Sequence, residues 1–98
     1  MSQARFLEEA EGEFLSEVRY YANVQENGAE KFRAAVEEAT ARALAFPMAG
    51  LKYIYAPRRV FLKGYPFFLV YRPEESGVAI FAVVHEQRRP GYWGKRVR

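Results

Sequence analysis

The chain has 98 residues, half of them apolar and 16% aromatic, enough for one globular core and too few for two. With no cysteine, no aspartate and a single histidine, disulfides, thiolate chemistry and the usual three- or four-ligand metal centre are excluded, and no cofactor is expected. The net charge of +3 hides a division: residues 1–50 carry five Lys/Arg against nine Glu, residues 51–98 ten against three.

A short first strand is expected over Ala4–Leu7. From Glu8 to about Asn23 the apolar residues Ala10, Phe14, Val18 and Tyr21/Ala22 recur at helical spacing among glutamates. Asn27-Gly28 marks a turn. Ala29–Ala45 repeats the helical pattern through Phe32, Val36, Ala39 and Ala43, and Pro47 and Gly50 stop it. Two helices of similar length with a short link make an antiparallel hairpin, about residues 8–46.

The period then changes. Tyr53–Tyr55 reads as a short extended piece broken by Pro57. Arg58–Lys63 alternates up to Gly64-Tyr65-Pro66, Phe67–Arg72 is a strand, Pro73–Gly77 a hairpin loop, and Val78–His85 the last strand. Strands joined this closely form an antiparallel meander. The expected fold is α+β: a helical hairpin on one face of a twisted, mainly antiparallel sheet of three to four strands, about residues 51–86. The hairpin is the one cover in view, and the basic tail, residues 87–98, is expected to be loose at Gly94–Arg98. One domain spans residues 1–98, with no repeat or linker.

No apolar run approaches the roughly 20 residues that span a bilayer, and Met1–Phe6 lacks the apolar core of a signal peptide. A cytoplasmic protein is expected, without membrane contact. The glycines form no phosphate loop. Ser2, Ser16 and Ser76 have no aspartate to complete a triad with His85. Most glutamates lie on amphipathic helices, which is poor placement for paired-carboxylate glycoside chemistry.

A cluster of arginines, aromatics and one histidine remains. Antiparallel pairing places Arg72 near Val78 at one rim and gathers Tyr65 and His85 at the other, with Arg88, Arg89, Tyr92 and Trp93 leaving from there. Arg58, Arg59, Lys63, Arg72, Arg88, Arg89 and Trp93 suit an acidic partner or nucleic acid, with arginine on phosphate and aromatics on bases. The same group suits RNA cleavage, with a base or acid on the 2′-hydroxyl and the leaving oxygen and an arginine stabilising the reacting phosphate. The plain alternatives are a solvated sheet edge for Arg58 and Arg59, a hydrogen-bonded strand-end histidine, and Tyr92 and Trp93 packing the tail back onto the domain.

The order helix, helix, Arg59-Val60-Phe61, Gly64-Tyr65-Pro66, Leu69-Val70-Tyr71-Arg72, then Val84-His85, Arg88-Arg89-Pro90 and Tyr92-Trp93 resembles the RelE/ParE superfamily of type II toxin–antitoxin toxins, often called plasmid stabilisation proteins. The likeness runs from Phe6-Leu-Glu-Glu-Ala-Glu11 through Tyr20-Tyr21 to Trp93. It implies a toxin bound by a cognate antitoxin that, with the toxin, binds operator DNA. RelE-like members cut messenger RNA on the ribosome, whereas ParE-like members poison DNA gyrase. Phe68 stands where the RelE-like strand carries an arginine, although Arg88 and Tyr92 match RelE-type positions. Arg59-Val60-Phe61, Tyr71-Arg72 and His85 with Arg88/Arg89 look more like ParE. The resemblance therefore implies a ParE-like growth inhibitor directed at an essential target such as gyrase, with a ribosome-dependent endoribonuclease using Arg58 or Arg59, His85, Arg88 and Tyr92 as the alternative. An acidic antitoxin segment is expected on the basic half, as a helix or an added strand.

Overall fold

The structure, a computed structural model, describes residues 3–52 and 57–97; the expected extended piece at 53–55 and residue Arg98 lie outside it. Strand β1 (Gln3–Phe6) is followed by helices α1 (Glu8–Val24) and α2 (Gly28–Ala45), then β2 (Leu51–Lys52), β3 (Arg58–Phe61), β4 (Phe67–Glu74), β5 (Gly77–His85) and a single 3-10 turn at Gly94–Arg96. The sheet order is β1-β5-β4-β3-β2. β3, β4 and β5 form the expected meander, and β1 joins its edge parallel to β5. The two-residue β2 adds a fifth strand to the three or four expected.

Helix α1 opens on Glu8, Glu9 and Glu11, whose charges suit the positive end of the helix dipole. It closes against α2 through a three-residue link in which Asn27 is left-handed (φ 56°). There Gly28 lies so near the α1 backbone that a Cβ would stand 1.9 Å from the Tyr21 carbonyl oxygen. The hairpin's apolar stripe, Ala10, Val18, Phe32, Val36, Ala39 and Ala43, packs on Val60, Phe67, Leu69, Tyr71, Val78, Ile80 and Val83.

The sheet has a second cover. Trp93 and Val97, with Leu7 and Tyr92 beside them, bury Phe68, Val70, Ala79, Phe81, Ala82 and Val84 on the face away from the helices. Two covered faces explain why β4 and β5 read as near-continuous apolar runs instead of alternating ones. As far as Val97 the tail is therefore not loose, and the helical hairpin is not the sole cover. After leaving β5 the chain runs back beneath the sheet until the Val97 carbonyl accepts a 3.1 Å hydrogen bond from Arg72 Nη2.

The register slips by one residue between Val70 and Tyr71: Val70 faces Ala82 and Tyr71 faces Ile80, leaving Phe81 as a bulge. Phe81 and Ala82 consequently share the tail-side face, and Val83 returns to the helix side. The expected loop Pro73–Gly77 is shorter than read, because β4 and β5 continue to Glu74 and Gly77 and leave Glu75-Ser76 as the turn. Among the described residues β3 pairs with β4 no further than Tyr71, so the N–H that Pro73 lacks interrupts no second ladder there.

Candidate target-binding surface

The sheet has two ends, one at the Glu75-Ser76 turn and one where β3 and β5 exit. The expected pairing across it holds: Arg72 lies opposite Ala79, one step from Val78, and Phe67 lies opposite His85. At the exit end the Glu86 N–H donates to the Pro66 carbonyl (2.8 Å), Tyr65 meets Tyr21 and Phe32 edge-on, and His85 lies edge-on to Phe67 at 5.0 Å.

The candidate residues do not converge on one spot. Lys63, Arg88 and Arg89 are exposed in the connections at the exit end. Lys63 Nζ lies 3.7 Å from Glu38, but at 75% side-chain exposure this contact contributes little. Arg58 points to the helix side and donates to the Met48 and Gly50 carbonyls (2.9 and 2.8 Å), tying down the link that follows α2. That link shows solvent Phe46 and Met48, 67% and 65% exposed. Arg59 lies on the other face, its guanidinium 5.2 Å from the Phe61 centroid and 5.6 Å from that of Phe68. Arg72 lies over Phe81 at 5.4 Å.

Trp93 must be corrected as a binding residue: it has no exposed surface, so its indole stacks on the core and offers no face to a base or a target. Packing of Tyr92 and Trp93 back onto the domain, the plainer of the two readings, is what the fold uses.

For acid–base work the geometry is unfavourable. The His85 ring lies on the helix side against Phe67, while Arg59 and Tyr92 belong to the tail side, so the sheet stands between them. His85 Nδ1 accepts a 3.1 Å hydrogen bond from the Gln87 N–H. Phe68 is buried in the tail-side core.

Tyr92 is engaged as well. Its hydroxyl donates to Glu13 Oε2 at 2.7 Å, and burial first, then this contact, push the phenol well above its ordinary value of 10.0. Glu13 Oε1 accepts from the Val83 N–H (3.0 Å), and Arg96 grips both carboxylate oxygens at 3.0 and 3.2 Å while also reaching the Phe81 carbonyl at 3.0 Å. These bonds occupy the β5 edge past the point where β1 stops. Glu13 sits in a run of surface glutamates and Arg96 in a tail expected to be loose, so neither stood out in the sequence. The Val78–Val84 run was the available signal, since it demanded a second cover.

Away from the cations, β1, α1 and α2 enclose an open groove of about 650 Å³ lined by Ala4, Phe6, Phe14, Leu15, Val36 and Leu44, with Glu11 and Glu37 also on its wall. Among the described residues no group of acidic or histidine side chains could hold a metal, and no helix is long and apolar enough to cross a membrane.

No curated protein matches the chain. A solved structure, the chromosomal ParDE toxin–antitoxin system from P. aeruginosa, is similar in fold, with a TM-score of 0.61 and 16% identity over 87% of this chain and 96% of that one. The model of the ParE toxin of type II toxin–antitoxin systems (parDE) matches residues 4–90. With that match running from Ala4 in β1 through both helices and past the end of β5, the chain belongs to the ParE toxin family of type II toxin–antitoxin systems.

Proposed function

We propose that this ParE-family toxin inhibits growth by binding an essential protein, DNA gyrase, through the exposed cations at the exit end of its sheet, Lys63, Arg88 and Arg89, with Arg59 at the flank. The observation that carries this reading is that the cations face solvent while the groups a nuclease needs are apart or engaged. His85 and Arg59 are on opposite faces of the sheet, and the Tyr92 hydroxyl is bonded to Glu13. A phenol pushed up and already donating to a carboxylate is a poor base for a 2′-hydroxyl. Accessible charge is what a surface needs to steer and orient an oppositely charged partner.

A cognate antitoxin completes the reading. The apolar groove beside β1 has the size and lining of a seat for an amphipathic partner segment. On its wall Thr40 Oγ1 has no hydrogen-bond partner among the described residues, and the outer edge of β1 has no strand beside it there. With Glu11 and Glu37 on that wall, the groove suits an apolar segment flanked by lysine or arginine; an acidic segment belongs with the basic face. Binding of operator DNA would come through the antitoxin.

Purified protein should inhibit gyrase supercoiling and leave ribosome-bound messages intact in primer extension, and added antitoxin should restore supercoiling. Cleavage of the messages with unimpaired supercoiling would replace this reading by the nuclease.

A further inference from the structure

We infer that Glu13 is a positioning residue for Arg88, acting through the ring of Tyr92 and through the charge of Arg96. The inference rests on the reading of Arg88 as a target-binding cation. Arg88 is exposed on the turn that follows β5, where a long side chain would otherwise spread over many rotamers. Instead its guanidinium lies 4.1 Å from the centroid of Tyr92. That ring is a fixed platform: its body packs against the tail-side core, and its hydroxyl is held at 2.7 Å by a carboxylate in the middle of α1.

The carboxylate is itself fully engaged. Val83, Tyr92 and Arg96 supply four donors to its two oxygens, and both members of the ion pair are largely withdrawn from water, at 18% and 17% side-chain exposure. The Arg96 guanidinium also lies 5.3 Å from the Tyr92 centroid, so two cations share one ring. Among the described residues, Glu13 is the carboxylate that pairs with the inner one. Without it, Arg96 and Arg88 would repel across the ring, and the exposed arginine is the one free to leave.

The test separates charge from mere hydrogen bonding. Glu13→Gln keeps the side chain's size and one acceptor oxygen, turns the other into an NH2 donor and removes the charge, so the double variant with Arg96→Gln is what isolates the charge. In the free protein the Arg88 Nε–Hε NMR signal should carry a ring-current shift, should lose it in Glu13→Gln while the Trp93 indole signal stays put, and should regain it in Glu13→Gln/Arg96→Gln. Tyr92→Phe, which keeps the ring and drops the tether, should weaken the shift and covers the case in which the glutamine variant folds poorly. Inhibition of supercoiling should weaken about fivefold in Glu13→Gln, the order of one surface cation–π contact, and no further when Arg88→Ala is added. An unmoved Arg88 signal in folded Glu13→Gln and Tyr92→Phe would overturn the inference, as would fully additive losses. If the wild type inhibits no gyrase, the target reading falls, and the NMR series alone decides the positioning.

Discussion

Burial and the bond to Glu13 hold the Tyr92 phenol above its ordinary value of 10.0, and burial moves Tyr21 and Tyr71 the same way. The sign of the consequence is fixed by proton count. Above about pH 10 the unfolded chain gives up these protons while the folded chain keeps them, so the unfolded state gains. The stabilisation is complete below pH 10 and is lost as pH rises toward the folded values. Urea midpoints measured between pH 8 and 11.5 should therefore fall from about pH 10 upward, and fall less steeply in Tyr92→Phe; equal slopes would show that Tyr92 titrates normally. At this scale the sequence was only half legible. It singled out Tyr92, Arg88 and His85 by residue type, and it offered Trp93 both as a binding residue and as part of a tail packed inward, of which the structure has the second. It could not offer Glu13, because one glutamate of nine in the first fifty residues carries no mark of its partners 70 and 83 positions away.

Among the elements, both helices and the meander were legible because periodicity, turn residues and loop length agreed on them. The face assignment within β5 was not. A bulge exchanges inside for outside downstream of Phe81, and in a run where every residue is apolar no alternation records the switch. The parallel partner was hidden for another reason: β1 and β5 are 74 residues apart in register, and four residues carry no mark of their neighbour. Their contact instead depends on Gly77, whose φ of 147° and close approach leave a Cβ only 1.8 Å from the Gln3 carbonyl oxygen. Gly77→Ala should therefore pull β1 from the sheet and destabilise the protein by about 1–3 kcal/mol. Hydrogen exchange should show the loss of protection concentrated in β1, and protection equal to wild type in Gln3–Phe6 would contradict it.

Over the whole molecule, charge and groove fall on different halves: the acidic half supplies both helices and the groove, the basic half the exit-end cations. A partner that uses the cations should associate more slowly as salt is added, while one seated in the apolar groove should be affected mainly in dissociation. Stopped-flow association with the target between 50 and 500 mM salt should show the first behaviour, and a salt-independent association rate would argue against a cationic docking face. The position of β5 bears on how the protein comes into being. This strand is central to both cores, pairing with β1 on one side and β4 on the other, yet it is synthesised after every other strand, and the segment that covers its second face is made later still. While a nascent chain stops short of Gly77, β1 has no partner, the helical stripe lacks Val78, Ile80 and Val83 to pack on, and Phe68 and Val70 have no cover. The fold thus waits for the chain from Gly77 onward. A chain that stops short of Gly77 therefore has no assembled surface with which to bind a target.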